Sequence, residues 1–470
     1  MNLLLTSFIA SIIVIYISSF NWQRSVKLVF ILVIFEGALR KWGIPQANQL
    51  LYFLKDFVLI GAYLKYFFIS PDKQKLVADD QVIKILSYMV TFWCLFQAFN
   101  PGLGSPIIGF FGLKNYLLYV PLMWMLPALF SSQEELYQFL RSYLLWLIPV
   151  ALLAIAQFFS PSDSFINVYA NDTSTVAVFG GDSVDIVVRV TGTFSYIAGY
   201  STYLGVCFSL LLPILSLRQP YPWQWFTLAE VLLLAATSFM TGARGLVLAI
   251  LLQLIGYFGI QFLTNIPGFF YTTKRIVAPA IIATITVFFG FRSAFISFWL
   301  RLTNNQDLGQ RIFGNFTQHF YYFDFRGVDG YGTGATFQAN PIIRAILNLP
   351  PGEPITIYNE GEMGRVALEL GPVGFFIWYG FKFFLLFAIW KVYFQLKQPF
   401  LKQLALSIFL LQAISFPSLL IFNHTANLFH WFFNSFIFLL PQLEYLANRQ
   451  EEQQNLPDYG QATNFPNSSH

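Results

Sequence analysis

The sequence predicts an all-α, polytopic helical membrane protein with about 12–13 transmembrane helices and one large extracytoplasmic insert. Of the 470 residues, 56% are hydrophobic and 11% are charged, whereas a soluble domain carries about 25% charged residues. The mean hydropathy is +0.59, and apolar runs of about 20 residues recur, which is long enough for a helix to cross a bilayer. The short alternating segments of a membrane β-barrel are not seen.

The apolar runs divide the chain into spans and polar stretches. In chain order, the predicted spans are residues 4–20, 25–38, 49–69, 82–99, 106–130, 137–160, 192–216, 224–241, 244–264, 275–291, 366–390, 403–421 and 428–446. The predicted organisation is a membrane domain over 1–291, an extracytoplasmic loop or lid over 292–365, the last three spans over 366–447 and a disordered cytoplasmic tail over 448–470. The first apolar run lacks the basic start and small-residue cleavage site of a signal peptide, so it is interpreted as a span.

Basic residues in short loops give the orientation, because they are enriched on the cytoplasmic side. One side would hold Arg24, Lys27, Lys65, Lys73, Lys75, Lys84, Arg141, Arg218, Lys274, Arg275, Lys391, Lys397 and Lys402. Residues 161–191 carry Asp163, Asp172, Asp182 and Asp185. These residues and the large insert are predicted to lie on the opposite, extracytoplasmic side.

Composition and motifs exclude several classes of function. The formal net charge of +4 suggests no nucleic-acid partner. The two cysteines, Cys94 and Cys207, both lie in apolar runs and predict neither a disulfide framework nor a metal site. No His, Cys and Asp cluster has metal-ligand spacing, and no P-loop or dinucleotide motif occurs. We therefore expect no metal and no cofactor.

Residues 292–371 form the one sizeable place for chemistry outside the lipid, so an active site is expected beneath this insert. Apolar residues from Phe291 to Leu302 recur at helical spacing, and Arg301 belongs to the polar side, as in a helix lying on a membrane surface. A second amphipathic segment is predicted over 312–323. Residues 330–334 (Gly-Tyr-Gly-Thr-Gly) predict a flexible turn, and Asn340 with the following proline predicts the start of a short helix.

Several cations lie on the outer side, where the bias of basic loops does not favour them. They are Arg40, Lys41, Arg189, Arg244 and Arg365. For Arg40 and Lys41 the alternative is that each side chain extends to the membrane interface. A turn such as that at Arg244 needs no charge. Several arginines on one membrane face suit a phosphate or pyrophosphate, because guanidinium groups bind its oxygens in a bidentate fork.

Acidic residues accompany these cations at the start of the eleventh span. Glu362, Arg365 and Glu369 are spaced by three and four, so they form one polar stripe on a helix. Its alternative role is an internal ion pair. Gly371 and Gly374 follow and permit close helix packing.

Other polar residues favour ordinary structural roles. Lys55 and Asp56 are adjacent within a helix, so they need separate partners. For His319 a role as a base is the alternative to the favoured interpretation as a surface histidine in an aromatic segment. His424 and His430 are interpreted as histidines with structural hydrogen bonds.

Four motifs, in this order, resemble the superfamily of O-antigen polymerases and O-antigen ligases of bacterial polysaccharide assembly. They are residues 189–194 (Arg-Val-Thr-Gly-Thr-Phe), 241–245 (Thr-Gly-Ala-Arg-Gly), 330–334 and 369–374 (Glu-Leu-Gly-Pro-Val-Gly). Residues 35–42 (Phe-Glu-Gly-Ala-Leu-Arg-Lys-Trp) resemble a stretch of exopolysaccharide members. The likeness covers most of the chain, and it rests on the order and membrane placement of the motifs.

The resemblance implies a GT-C-like glycosyltransferase in the bacterial inner (plasma) membrane, with its large loop in the periplasm. It would transfer a glycan from a polyprenyl-pyrophosphate donor to an acceptor hydroxyl during surface polysaccharide, exopolysaccharide or O-antigen biosynthesis. Arg189 and Arg244 correspond to the arginines that hold the pyrophosphate. Many relatives carry a His-Asn pair about nine residues before the glutamate matching Glu369, whereas this chain has Glu360 and glycine there. That difference favours polymerisation or export-linked transfer over ligation to a lipid core.

The mechanism hypothesised from these residues is a metal-independent displacement at the anomeric carbon. Arg189 and Arg244 would stabilise charge on the pyrophosphate, assisted by Arg40, Lys41 or Arg365. Glu360 or Glu362 would accept the acceptor proton, and Glu369 belongs to the same candidate catalytic set. Tyrosines of the insert would stack on sugar rings or form the core of the lid; they are Tyr321, Tyr322 and Tyr331.

The expected partners are the lipid-linked donor, the glycan acceptor, the bilayer and polysaccharide export or chain-length proteins. Two alternatives stay open. A flippase for a lipid-linked oligosaccharide would also need cations for pyrophosphate, but it would be expected to show internal repeats and charges through the midplane. A non-catalytic scaffold of an export complex would keep the fold without a closed arginine site.

Overall fold

The computed structural model of the chain describes residues 2–69, 80–170, 176–181, 184–303, 314, 316, 317, 319–355 and 361–454. Within these ranges almost all regular structure is helical. The one sheet seen there is a hairpin of two antiparallel strands, β1 (Val178–Gly181) and β2 (Val184–Val188). The all-helical prediction is therefore confirmed for the described chain, apart from this hairpin in the predicted loop 161–191.

The helices follow the apolar runs in order. Before the hairpin lie α1 (Asn2–Ser18), α2 (Trp22–Ala38), α3 (Asn48–Tyr63), α4 (Gln81–Ala98), α5 (Pro106–Leu117), α6 (Leu122–Met125), α7 (Gln133–Leu145) and α8 (Leu147–Phe158). After it lie α9 (Ile197–Ser216), α10 (Tyr221–Met240), α11 (Arg244–Thr264), α12 (Ile266–Ile285), α13 (Arg292–Thr303), α14 (Asn340–Leu347), α15 (Glu362–Gln395), α16 (Pro399–Ile414), α17 (His424–Asn434) and α18 (Phe436–Gln454). Each predicted span coincides with one helix or with two consecutive ones.

Among the described residues, seven helical stretches are long and apolar enough to cross a membrane. They are Gln81–Ala98, Pro106–Leu129, Gln133–Phe158, Ile197–Ser216, Arg244–Thr264, Ile266–Gly290 and Glu362–Gln395. The chain is thus a helical protein of the membrane class. The remaining predicted spans fall on helices that are shorter or less apolar. The total of about 12–13 spans and the GT-C-like arrangement with its four regions stay predictions.

Several helices are interrupted, and the interruptions position polar groups. A π-helical turn, Leu39–Gly43, continues α2 and carries Arg40 and Lys41. Helix α15 is broken at Gly371, which has a φ of 68°. The next residue, Pro372, has no N–H and disfavours helical backbone at the residue before it. A glycine there adopts the left-handed conformation without strain.

The insert contains two of the helices predicted for it. Helix α13 covers the predicted amphipathic segment, and α14 begins at Asn340 with proline in its first turn. Helix α13 packs against both strands of the hairpin and against α10. Of the second amphipathic segment, residues 312 and 313 lie outside the described residues, whereas residues 319–322 are helical.

Candidate functional site

Arg189 and Arg244 lie side by side next to the end of α10. Arg189 follows β2 directly, and its Nε donates a hydrogen bond to the carbonyl of Thr241 (2.9 Å). Arg244 opens α11 after a turn in which Gly242 has a φ of 60°. The turn thus presents a carbonyl to one arginine and places the other at the start of a helix.

A third arginine, Arg301 of α13, completes this arginine cluster. Its backbone carbonyl accepts a hydrogen bond from Nη1 of Arg244 (3.3 Å). Burial and the neighbouring charges of Arg301 and Arg244 lower the pKa of Arg189 to about 10. The guanidinium of Arg189 therefore still carries charge at neutral pH. The sequence assigns Arg301 only to the polar side of a helix on the membrane surface. Its role in the site could have been suspected only because the insert was predicted to cover the outer cations.

The charges of Arg189 and Arg244 decide what the arginine cluster can bind. In the part of the chain that the structure describes, neither Arg189 nor Arg244 forms an ion pair with a carboxylate. Close like charges repel each other, and the repulsion is strong where water is partly excluded. Such an arrangement is typical of a site that binds a polyanion.

Arg40 and Lys41 are buried, so the interpretation that they extend to the membrane interface is wrong. Nη1 of Arg40 donates to the Ser195 hydroxyl (2.9 Å). Nζ of Lys41 donates to the Thr191 hydroxyl (2.7 Å) and the Gly192 carbonyl (3.2 Å). These acceptors follow Arg189 directly in the chain, so the segment 189–195 connects both groups of cations.

The backbone of α2 packs closely against the segment 189–195, which brings the motifs at residues 35–42 and 189–194 together. A Cβ on Gly37 of α2 would lie closer than 3.0 Å to backbone atoms of Thr193, Phe194 and Ser195. The Thr193 hydroxyl also donates to the carbonyl of Ile34 (2.6 Å). Only a residue without a side chain lets α2 reach this segment, so the stretch 35–42 and the stretch 189–194 form one structural unit.

Lys41 lies outside the predicted spans, after residue 38, and its burial gives a testable pH dependence of stability. Burial lowers the pKa of Lys41 from 10.5 to about 7. Between these values the unfolded chain binds more protons than the folded chain, so the free energy of unfolding rises with pH. We expect Lys41→Met to flatten this rise by up to about 1.4 kcal/mol per pH unit. Chemical unfolding of both proteins at pH 7 and pH 9 measures it.

The matched control is Lys397→Met, because Lys397 is exposed. Its unfolding free energy should depend on pH as that of the unchanged protein does. Equal pH slopes for the Lys41→Met protein and the unchanged protein would contradict the assignment.

A network of buried charges lies beside Arg40. Lys55 pairs with Glu36 (Nζ to Oε2, 2.6 Å), and Asp56 pairs with Lys114 of α5 (Oδ2 to Nζ, 2.8 Å). The prediction that Lys55 and Asp56 need separate partners is confirmed. Arg40 also reaches Glu36 (Nη1 to Oε1, 3.3 Å). Helices α2, α3 and α5 are thus joined by ion pairs.

The histidines differ in their surroundings. His424 opens α17 and has the hydrogen bonds expected of it: Nδ1 lies 2.9 Å from Nζ of Lys114, and Nε2 contacts the Tyr52 hydroxyl. Within the described ranges, Nε2 of His430 is buried and lacks a hydrogen-bond partner. The surface interpretation of His319 is wrong, because its ring is buried and stacks on Phe375 with centroids 4.6 Å apart.

Glu369 is fully buried, and its carboxylate accepts four hydrogen bonds. Oε2 accepts from the Tyr116 hydroxyl (2.9 Å) and from the amide of Gly334 (3.0 Å). Oε1 accepts from the amide (2.8 Å) and the hydroxyl (2.7 Å) of Thr336. The carboxylate therefore holds the glycine-containing turn of the insert against the membrane helices.

The sequence predicted a flexible turn at residues 330–334, and in the structure this turn is packed into the break of α15. Its glycines have positive φ angles. The amides of Tyr331 and Gly332 donate to the carbonyls of Leu368 (2.8 Å) and Glu369 (2.9 Å). These carbonyls lie just before Gly371, where the helix cannot supply its usual donors. The turn therefore completes the hydrogen bonding of the broken helix.

Tyr331 is half-buried, and the guanidinium of Arg326 lies 5.0 Å from the centroid of its ring. Tyr322 is buried, whereas Tyr321 is exposed. Stacking of these rings on sugars stays a prediction. The geometry of Tyr322 fits the alternative role in the core of the lid.

The three residues of the predicted polar stripe on α15, Glu362, Arg365 and Glu369, have different contacts. Glu362 is fully buried; it accepts from Nζ of Lys382 (3.3 Å), from the amide of Ile421 (2.8 Å) and from the amide of Leu420. The guanidinium of Arg365 lies over the ring of Phe422, 4.7 Å from its centroid. Glu360 lies outside the described residues.

Comparison with known proteins found no matching family and no matching curated protein. In the described part of the chain, no three His, Cys, Asp or Glu side chains are grouped so that they could hold a metal ion. The site is thus defined by its own geometry, as a cation-rich region between membrane helices and an insert.

Proposed function

We propose that the protein is a membrane glycosyltransferase of the polysaccharide polymerase or ligase type. It transfers glycan units from a polyprenyl-pyrophosphate donor to a sugar hydroxyl of the acceptor, on the periplasmic face of the bacterial inner membrane. The reaction belongs to the synthesis of surface polysaccharide, exopolysaccharide or O-antigen, and export or chain-length proteins are its partners. The chemistry is metal-independent.

The observation that carries this proposal is the arginine cluster, in which Arg189 and Arg244 lie together with Arg301 of the insert. When the bond between the anomeric carbon and the donor oxygen breaks, its electron pair stays on the pyrophosphate. Guanidinium groups already in place stabilise that charge without reorganising, which is the main catalytic requirement of such a displacement. Arg40 adds positive charge beside the segment 189–195, and Lys41 holds the same segment by its hydrogen bonds to Thr191 and Gly192.

The hydrogen bonds of the glutamates decide between Glu360 and Glu362 as the candidate base. Glu362 and Glu369 are fully buried, and their carboxylate oxygens already accept bonds that hold the helices and the insert together. A general base must reach the proton that it removes. We therefore assign the base role to Glu360 and structural roles to Glu362 and Glu369.

The test replaces Arg189 and Arg244 separately with alanine in cells that make the polysaccharide. Both proteins should insert normally, while polymer synthesis falls by about 10²–10³-fold, as when a group that stabilises a developing negative charge is removed. Single lipid-linked units should accumulate on the outer face. The measurements are membrane insertion, polymer length and the side on which lipid-linked units collect.

The matched control is Arg292→Ala, because Arg292 lies on α13 with Arg301 but is exposed. It removes one arginine charge from the helix that carries Arg301, outside the arginine cluster, and should leave polymer length unchanged. Units that collect on the cytoplasmic side in the Arg189 or Arg244 variants would show a flippase instead. Normal polymer in both variants would rule out catalysis at this cluster and leave a scaffold.

A further inference from the structure

Gln157, in the last turn of α8, is buried, and its side chain bonds only to backbone groups of other segments. Oε1 accepts from the amides of Thr191 (3.2 Å) and Gly192 (2.8 Å). Nε2 donates to the carbonyls of Ile166 (3.0 Å) and Gly192 (3.2 Å). A glutamine amide has two N–H donors and an oxygen with two lone pairs. All four of these positions are therefore used.

The segment 189–195 needs such partners because it is neither helix nor strand. Buried backbone groups of an irregular segment must find hydrogen bonds elsewhere. The amide of Arg189 donates to the carbonyl of Ala177 (2.8 Å), and that of Val190 donates to the carbonyl of Met240 (3.3 Å). The next two amides are those that bond to the glutamine side chain. The backbone is thus held at four consecutive residues.

The glutamine is itself held in place by a second amide side chain. Nδ2 of Asn167, which is buried, donates to the backbone carbonyls of Gln157 (3.1 Å) and Pro161 (2.8 Å). The end of α8 and the loop after it therefore form one hydrogen-bonded unit. Gln157 joins that unit to the segment 189–195.

These bonds determine where the side chain of Arg189 begins. Thr191 is two residues from Arg189, which is about 7 Å of extended chain. At the other end of the side chain, Nε of Arg189 donates to the carbonyl of Thr241 (2.9 Å). The guanidinium keeps its place beside Arg244 only while the backbone that carries it stays fixed. The bonds of Gln157 fix that backbone.

We propose that Gln157 is a positioning residue that holds the guanidinium of Arg189 in the geometry required to bind a pyrophosphate. This inference rests on the proposed function. Removing the glutamine amide releases the backbone at residues 191 and 192, and the guanidinium shifts with it. A misplacement of about 1 Å can cost about 10²-fold where a charge must be aligned with the group that it stabilises.

Calorimetry with inorganic pyrophosphate on the purified full-length protein in detergent tests the proposal. Gln157→Met keeps the length of the side chain and removes the amide, so we expect the affinity to fall at least about tenfold. The affinity is measured on folded, monodisperse protein. A purely structural role would lower the yield or the melting temperature and leave this affinity unchanged.

Gln253→Met is the matched control. Gln253 of α11 is also buried, and its Nε2 donates to the Ser209 hydroxyl (2.8 Å) and the Ser407 carbonyl (3.0 Å). The control therefore removes an equally buried, hydrogen-bonded amide whose partners lie outside the segment 189–195. Its affinity for pyrophosphate should stay within about twofold of that of the unchanged protein.

The protein that carries both Gln157→Met and Arg189→Ala shows through which residue the glutamine acts. Its affinity should differ from that of Arg189→Ala by less than about twofold, because the guanidinium that Gln157 positions is already gone. Losses that multiply in the double variant would overturn the proposal. Unchanged affinity in Gln157→Met would overturn it as well, while a loss in Arg189→Ala alone would leave the proposed function in place.

Gln157→Asn is a milder second variant, since it keeps the amide and shortens the side chain by one methylene group. Its affinity should fall at least about threefold. Failure of both Gln157 variants to fold would overturn the proposal, because the glutamine would then hold the whole fold.

Two further results separate the proposal from the function on which it rests. The expected affinities together with normal polymer in Arg189→Ala cells would keep the positioning role and reject the transfer reaction. Absence of pyrophosphate binding by the unchanged protein would overturn both.

Discussion

Replacing Glu369 with alanine is expected to lower the free energy of unfolding by about 3–5 kcal/mol and to release the turn 330–334 from the membrane helices. The change leaves four donors without their acceptor. The Tyr116 hydroxyl and the Gly334 amide are buried, and the hydroxyl and amide of Thr336 are partly buried. Each unsatisfied buried donor costs about 1–3 kcal/mol.

Chemical unfolding in detergent measures the loss of stability, and limited proteolysis of the insert measures the release. Glu369→Gln should fall between the alanine variant and the unchanged protein, because one amide oxygen still accepts while the NH₂ group faces donors. Glu134→Ala is the control, since Glu134 is exposed and its loss should change stability by less than about 0.5 kcal/mol. Unchanged stability and proteolysis in Glu369→Ala would show that the carboxylate does not hold the turn.

Replacing Gly37 with alanine is expected to lower the free energy of unfolding by about 3 kcal/mol, because the added methyl group would meet backbone atoms that cannot move aside alone. Those atoms belong to residues 193–195. The substitution should also weaken polymer synthesis, since pushing α2 away displaces Arg40 from Ser195. Unfolding in detergent and polymer length measure the two effects.

Gly380→Ala is the matched control for this substitution. Gly380 also lies in a helix, but a Cβ there meets nothing within 4 Å. Alanine favours helix over glycine, so stability should stay equal or rise by about 0.5–1 kcal/mol. Similar stabilities of the Gly37 and Gly380 variants would disprove the close packing of α2 on the segment 189–195.

The parts of the structure that follow from local sequence were predictable. Apolar runs located each of the helices in the described ranges that are long and apolar enough to cross a membrane, because burial in lipid requires that pattern over about 20 residues. The start of α14 at Asn340 followed from the proline after it, since proline is favoured in the first turn of a helix. The separate partners of Lys55 and Asp56 followed from helix geometry alone.

Contacts between distant residues were not predictable, because nothing in local spacing records them. Lys382 lies in the part of α15 after the break at Gly371 and pairs with Glu362 in the part before it. The amides of Leu420 and Ile421 reach the same carboxylate from beyond α16. Arg301 belongs to the arginine cluster only because α13 packs on the hairpin and α10. Glu369 was included in the catalytic set from its place on the polar stripe, because the sequence does not show the hydrogen bonds that give it a structural role.

The break at Gly371 also constrains the order in which the protein can assemble. At the end of the stretch of α15 before the break, the last backbone carbonyls receive no hydrogen bond from the next turn of the helix. Exposing such unpaired carbonyls to hydrocarbon is costly. Those of Leu368 and Glu369 are satisfied by the turn 330–334, and that of Leu370 by the indole N–H of Trp93 on α4. This half-helix is therefore stable in the bilayer only after α4 and the turn are in place. We therefore expect the last part of the membrane domain to complete its insertion only after the turn 330–334 has packed onto it.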